Sequence, residues 1–157
     1  MERIDTRMAT LGLEFPPPWT PRGAFAPFRI DGHTVYLSGQ ICEWDGEVVL
    51  TGPVGEGGVS VEAAREAARI CALNLLYCLR LACDGDLDRV GAVMRLGGFV
   101  NCVPGFPWSP KVIDGATTIF RDLFGEQGVH ARTAVGVAGL PGNAAVEVDA
   151  IVTLRAA

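Results

Sequence analysis

The sequence predicts an α+β fold in which two helices cover one face of a β-sheet. Three observations carry this prediction. Residues 60–85 have the clearest amphipathic helical pattern in the chain, and residues 109–128 have a second one. Most of the other apolar segments are short and strand-like, giving the order β-β-β-α-β-α-β-β along the chain. This order favours one sheet and one layer of helices.

Each predicted helix has recognisable ends. Ser60 is a plausible N-cap for the first, and Gly85 lies where a C-terminal cap is expected. The second helix ends near Gly125 or Gly128. A shorter amphipathic segment begins at Ile4, and the proline-rich run after it predicts an extended connection, so residues 1–22 form an N-terminal helix and extension.

The strands are marked by turns and by their apolar residues. Asp31-Gly32 and Asp45-Gly46 are of the type that favours hairpins. Residues 89–103 predict one long strand, and residues 132–138 and 145–154 predict the last two. Because the sequence has no internal repeat, no low-complexity tract and no sign of a second domain, residues 1–157 are interpreted as a single domain.

Composition limits the function classes. The chain has 157 residues and a net charge of −5, with no basic cluster, which argues against nucleic-acid binding. A mean hydropathy of +0.29 favours an oligomer that buries apolar surface. The five cysteines form no C-x-x-C pair and predict buried, reduced thiols rather than a metal site. Neither a secretion signal nor a membrane span is evident, so a cytoplasmic location is expected.

The last two strands place charged residues inside apolar runs. If Val135 and Val137 face the helices together with Val146, Val148 and Val152, the alternation of a strand puts Arg132 and Glu147 together on the opposite face. Small residues there, including Ala134, would leave room for a ligand. A buried charge needs a partner. For Arg132 that partner is either Glu147 or Asp149 of the protein, or a carboxylate that arrives from outside.

The same segment resembles a known family. The motif "RTAVGVAGLP" followed by "VEVDAI", the strand "VYLSGQI" and the midsection "GDLDRV…GFVN" are similar to the reactive-intermediate deaminases, also called YjgF-type or L-PSP endoribonuclease-like proteins. The similarity runs from about residue 23 to the end. It implies a chorismate-mutase-like fold, assembled as a homotrimer with ligand clefts between subunits.

The resemblance also implies residue roles. Arg132 would hold the carboxylate of a small 2-imino or enamine acid, and Glu147 would place the hydrolytic water. The backbone of Ser38 and Gly39 would form part of the cleft wall. Hydrolysis would release ammonia and a 2-keto acid with no metal or cofactor. The residue types suit this chemistry. A guanidinium can bind a carboxylate through two parallel hydrogen bonds, and a carboxylate can assist proton transfer.

Four positions depart from the family pattern. Phe25 replaces a tyrosine, Ala134 a cysteine and His130 a proline, and Asp114 or Gly115 lies near the place of an asparagine. An acidic Asp114 would oppose an anionic substrate. His130 could act as a general acid or base near neutral pH, or be a solvated loop residue.

Three functions follow as hypotheses. The first is the cofactor-free imine hydrolase. The second is a trimer that binds or senses small carboxylic acids without turnover. The third, an endoribonuclease, is disfavoured by the acidic charge and by the lack of a basic, aromatic groove.

Overall fold

A computed structural model describes residues 2–156 and places a five-stranded sheet beneath two long helices. The sheet order is β1-β2-β7-β5-β6, and a separate two-stranded ribbon joins β3 to β4. This is the predicted α+β class with a mixed sheet. The elements are α1 Ile4–Thr10, β1 Phe28–Asp31, β2 Thr34–Ile41, β3 Glu43–Trp44, β4 Glu47–Val48, α2 Val61–Ala82, β5 Val90–Asn101, α3 Ser109–Phe124, β6 Ala131–Val137 and β7 Val146–Leu154.

Helix α2 has the ends that its sequence predicts. The Ser60 side chain accepts a 3.1 Å hydrogen bond from the Ala63 N–H, which satisfies one of the first-turn donors. After the last turn, Gly85 has φ +90°, a conformation that suits glycine, and its N–H reaches the Arg80 carbonyl at 2.8 Å. The apolar side of α2 is fully buried, including Leu75, Leu76 and Leu79.

The turns and the N-terminal segment differ from the prediction in detail. The Asp45-Gly46 turn is present, with φ +50° and +83°, whereas the first hairpin loop consists of Gly32 and His33, because Asp31 still pairs with Thr34. Helix α1 ends at Thr10, since Gly12 in the following turn has φ +65°.

Strand β6 is parallel to β5, and α3 connects the two strands across one face of the sheet. The approach is close at Gly98 of β5, where a Cβ atom would collide with the Ile113 side chain of α3. The order of the sheet leaves β1 and β6 at its two edges. The β6 edge therefore lies next to α3, which places the residues of both elements in contact.

The two faces of the sheet are unequal. The face beneath α2 and α3 is dry, with Val35, Val148 and Val152 fully buried. The opposite face, called the open face below, carries Tyr36 at 48% exposure and Val135 at 41%. No element among residues 2–156 packs across this face in the way that the two helices cover the other.

The register corrects the prediction that Arg132 and Glu147 share a face. Arg132 pairs with Leu96, whose side chain is fully buried beneath the helices, so Arg132 is on the helical face. Glu147 and Val135 both pair with Phe99, so they lie together on the open face. The assumption that failed is that Val135 faces the helices. In β6 the helical face instead carries Ala134 and Gly136, whose small size admits α3.

Four of the five cysteines are buried, as predicted, and all five are free thiols. In the part of the chain that the structure describes, no group of three or more His, Cys, Asp or Glu side chains could hold a metal ion. The helices of residues 2–156 include none with the length and apolar character needed to cross a bilayer.

Candidate functional site

A cleft of about 500 Å³ opens beside Glu147 at one end of the sheet. The N-terminal extension forms one wall, the end of β2 and the β3–β4 ribbon form the base and a second wall, and the loop before β7 closes the side. Most of the lining is apolar. The cleft is lined by Trp19, Thr20, Pro21, Arg22, Gly23, Phe25, Gly39, Gln40, Ile41, Glu43, Val48, Asn74, Pro141, Gly142 and Glu147.

Glu147 projects over Gly39. A Cβ atom at position 39 would lie 2.5 Å from the Glu147 Oε1, so a larger residue there would displace the carboxylate. The regular pairing of β2 with β7 is interrupted between Leu37 and Gln40, and Gly39 lies within this irregularity. Such bulges redirect side chains near functional sites. The S-G-Q segment therefore shapes the space in which the Glu147 carboxylate is held.

The Glu147 carboxylate is half-buried without a compensating cation. Among residues 2–156 it makes no ion pair and accepts no hydrogen bond. Burial raises its pKa above the ordinary value of 4.5, and the nearby Asp149 carboxylate raises it further. A carboxyl group with a raised pKa can give and take a proton more readily near neutral pH.

Asp149 lies on the same face but has partners. Its Oδ1 is 3.4 Å from the Arg95 Nη1, and the Gly97 N–H acts on the same carboxylate. Burial raises its pKa, and the guanidinium and the N–H oppose that shift. The two acids of "VEVDA" are therefore different in kind, since Asp149 is tied to the sheet and Glu147 is not.

Arg132 lies at the β6 edge, on the helical face, and is held by α3. Its Nη1 donates to the Asp114 Oδ1 at 2.7 Å and to the Thr117 Oγ1 at 3.0 Å. The Arg132 side chain is 23% exposed. The sequence suggested Glu147 or Asp149 as the protein partner of Arg132. The partner in the structure is instead Asp114, the residue near the place of the family's asparagine.

His130 extends the same network and is not a solvated loop residue. Its Nδ1 is 2.6 Å from the Gly128 carbonyl, and its Nε2 is 3.1 Å from the Thr117 Oγ1. Because a carbonyl can only accept, Nδ1 carries the proton and Nε2 accepts from the Thr117 hydroxyl. Burial lowers the His130 pKa, the bond to Gly128 opposes this, and the positive charge of Arg132 adds to it. The neutral ring is therefore favoured.

The other predicted residues fall in two places. Ser38 ties the extension to β2, since its Oγ donates to the Ala26 carbonyl at 2.6 Å and its N–H to the Pro27 carbonyl at 3.0 Å. This anchor places Phe25 at the cleft, with 53% of the residue exposed. Ala134 lies on the helical face of β6, partly buried against the core.

The predicted residues thus form two groups within one chain. Glu147, Gly39 and Phe25 line the open-face cleft, and Ser38 supports it. Arg132, Asp114 and His130 form a hydrogen-bonded group on the helical side at the β6 edge. The structure does not bring the two groups together in a single chain.

Sequence reasoning missed the contribution of the N-terminal extension. Trp19 packs against Tyr77 of α2, with ring centroids 5.7 Å apart, and Arg22 donates to the Glu43 carboxylate at 2.9 Å. Both contacts fix the extension beside the cleft. The signal available in the sequence was an aromatic residue between prolines in "PPPWTP". A tryptophan in such a segment is typical of a packing or interface residue, and this interpretation does not predict a cleft wall.

The chain is similar to proteins of a known family. A model of the family described as "YjgF/chorismate_mutase-like, putative endoribonuclease" matches residues 5–154. The chain belongs to this family. The predicted resemblance is therefore confirmed. Beyond what was predicted, the match takes in most of the N-terminal extension as well as the segment from residue 23 onward.

Three similar proteins match this YjgF-like chain over most of its length. Protein TCP17 of Trypanosoma cruzi is 39% identical over 98% of this chain and 95% of its own length. A structure of a protein with unknown function from Agrobacterium tumefaciens is 41% identical, with a TM-score of 0.89 over 97% of this chain and 92% of that one. A 2-iminobutanoate/2-iminopropanoate deaminase of Dermatophagoides farinae is 28% identical over 86% of this chain and 89% of its own length.

Proposed function

We propose that this chain is a cofactor-free hydrolase that converts 2-imino or enamine carboxylic acids into 2-keto acids and ammonia. The observation that carries the proposal is the Glu147 carboxylate, half-buried in a cleft and without an ion-pair partner among residues 2–156. The name of the Dermatophagoides farinae relative supports the same reaction class.

The proposed chemistry uses Glu147 as a general base and then a general acid. Glu147 takes a proton from water as the water oxygen bonds to C2 of the imine, and the C=N electron pair moves to nitrogen, which takes that proton from Glu147. The resulting carbinolamine gives its hydroxyl proton to Glu147, which passes it to the nitrogen as the C2–N bond breaks, ammonia leaves and the C2–O bond becomes a carbonyl. A carboxyl group whose pKa is raised by burial suits both directions of transfer.

The substrate carboxylate requires a cation, and the geometry suggests that a second copy of the chain supplies it. Glu147 is on the open face, whereas Arg132 is on the helical face of the edge strand. One small acid could reach both groups only if Arg132 of a neighbouring copy approached the cleft. We therefore propose a homotrimer with its clefts between subunits. The exposed Tyr36 and Val135 side chains on the open face favour such an association.

A coupled assay tests the hydrolase. A D-amino-acid oxidase generates 2-imino acids, and keto-acid release is followed with wild-type protein, Arg132→Ala and a control, Arg121→Ala, in which an exposed arginine of α3 is removed. We expect acceleration by the wild type and the control that is lost in Arg132→Ala. Equal rates with and without wild-type protein would contradict the proposal.

A second candidate is a trimer that uses the same cleft and Arg132 to bind carboxylic acids without turnover. In both candidates the Asp114 carboxylate, 2.7 Å from the guanidinium, competes with an anionic ligand. This candidate predicts thermal stabilisation by small carboxylic acids that depends on Arg132, with no effect on imine decay.

The description of the family also names an endoribonuclease. A net charge of −5 opposes this activity, because RNA binding depends on neutralising phosphates. RNA cleavage by the purified protein, lost in Glu147→Gln, would revive it.

A further inference from the structure

The open-face cleft has more room than a two- or three-carbon acid needs. Its volume of about 500 Å³ lies within the roughly 300–1,000 Å³ typical of pockets that enclose drug-sized ligands. The Glu147 carboxylate lies above Gly39 at its base, so a substrate with its C2 beside Glu147 would extend its side chain along the remaining length. The walls along that length decide which side chains are favoured.

Those walls are aromatic and aliphatic. Trp19 and Phe25 come from the N-terminal extension, and Ile41 and Val48 come from β2 and β4. Phe25 leaves half of its surface uncovered beside the cleft, although Ser38 anchors the two following residues through the Ala26 and Pro27 carbonyls. An exposed aromatic ring on a fixed backbone is a ready contact for an apolar group, since ring burial contributes both area and favourable aromatic pairing.

Apart from Glu147, the charged side chains that line the cleft, Arg22 and Glu43, are already paired with each other. Arg22 donates to the Glu43 carboxylate at 2.9 Å and to the Gly46 carbonyl at 3.3 Å. The Asn74 amide donates to the Glu43 carbonyl at 2.7 Å and to the Ile70 carbonyl at 3.1 Å. A ligand side chain with a charge would have to break these contacts, whereas an apolar side chain leaves them intact.

We infer that the cleft selects 2-imino acids with a bulky apolar or aromatic side chain, and that Trp19 and Phe25 hold that side chain. This inference rests on the proposed hydrolase for its reaction but on the cleft walls for its selectivity. It distinguishes this chain from a relative named for 2-iminobutanoate and 2-iminopropanoate, whose side chains are an ethyl and a methyl group.

The test compares side chains in turnover and in binding. Imino acids are generated from D-alanine, D-leucine and D-phenylalanine, and kcat/KM is measured for wild type, Phe25→Ala and Thr20→Trp. Thr20 is an exposed lining residue, so a tryptophan there narrows the cleft without entering the core. Trp108→Ala is the matched control, because Trp108 is 49% exposed and lies outside the cleft. Affinities for propanoate and 3-phenylpropanoate are measured in parallel by calorimetry.

We expect the wild-type kcat/KM to be about tenfold higher for the phenylalanine-derived imine than for the alanine-derived one. Phe25→Ala and Thr20→Trp should each reduce that preference to less than about threefold, and Trp108→Ala should leave it unchanged. A preference for the alanine-derived imine would overturn the inference while leaving the hydrolase intact.

The affinity measurements distinguish the proposed hydrolase function from the inferred side-chain selectivity. If no imine is hydrolysed faster, the proposed function fails. The selectivity then stands only if 3-phenylpropanoate binds at least about tenfold more tightly than propanoate and loses that advantage in Phe25→Ala. Equal affinities for the two acids would overturn the inference.

Discussion

Arg132 and Glu147 lie on opposite faces of the same sheet, Arg132 on the helical face beside Leu96 and Glu147 on the open face beside Phe99. In this chain, the cation and the carboxylate that the family motif brings together in sequence are kept apart by the pleat. A site that uses both groups would therefore need two chains, and each residue should respond to substitution according to its own surroundings.

Replacing Glu147 with glutamine should abolish most of the proposed activity. The amide cannot take a proton from water, and general acid–base assistance is typically worth about 10²–10⁴-fold in rate. The measurement is kcat for imine hydrolysis, with Asp149→Asn as the control because Asp149 lies on the same face but is paired with Arg95. A Glu147→Gln rate within about threefold of wild type would remove Glu147 from the mechanism.

The same substitution should stabilise the fold at neutral pH. Burial raises the Glu147 pKa, so ionisation costs more in the folded chain than in the unfolded one. The cost is absent below the ordinary pKa of 4.5, grows as pH rises from 4.5 to the raised value of the folded chain, and is constant above it. Urea unfolding should therefore give wild type and Glu147→Gln similar stabilities near pH 4 and a more stable variant at pH 7.5. The opposite trend with pH would mean that Glu147 gains a stabilising partner when ionised.

Gly39→Ala tests whether the carboxylate must stay where it is. The added methyl would lie 2.5 Å from Oε1, and the flexible end of Glu147 can move away, so we expect a folded protein with activity reduced about tenfold or more. Gly139→Ala is the matched control, since a Cβ there has nothing within 4 Å and the residue has no positive φ. Equal activity in the two alanine variants would show that the position of Glu147 is not critical.

Asp114→Asn should release Arg132 for an external carboxylate. Removing the charge 2.7 Å from the guanidinium should lower KM, or the Kd of a carboxylate ligand, about three- to tenfold. The loss of stability should be about 1 kcal/mol or less, because Asp114 is partly exposed. The control is Asp122→Asn, an exposed aspartate two turns further along α3. A higher KM would instead make Asp114 a positioning residue that orients the guanidinium.

Helix α2 shows how much of the fold the sequence could predict. Its cap, its apolar face and its terminating glycine are all local features, and each is present where the pattern placed it. The hairpin turn at Asp45-Gly46 is local in the same sense. The Asp31-Gly32 turn shifted by one residue, because the pairing of Asp31 with Thr34 determines the loop and the turn motif alone does not.

The face of Arg132 could not be predicted in the same way. Strand alternation shows which residues share a face, but not which face the helices cover. In β6 the valine at position 135 points to the open face, and the small residues Ala134 and Gly136 lie under α3. Because the open face also carries apolar residues such as Tyr36 and Val135, both faces of the sheet have an apolar pattern, and the pattern alone does not identify the helical one.

The cleft walls were unpredictable for a different reason. Trp19 reaches the cleft because it packs on Tyr77 of α2, which is 58 positions away in the sequence. Arg22 is placed by Glu43 and Gly46 of the ribbon. Such long-range contacts leave no periodic signal in an extended, proline-rich segment.

Complementation between two inactive variants shows whether Arg132 and Glu147 act from different chains. Arg132→Ala and Glu147→Gln are co-expressed under separate affinity tags, mixed oligomers are isolated, and imine hydrolysis is compared with each variant alone. In a mixed trimer of either composition, about one in three inter-subunit clefts would combine an intact Arg132 with an intact Glu147. We expect recovery of roughly that fraction of wild-type activity. Mixed oligomers no more active than the separate variants would contradict it.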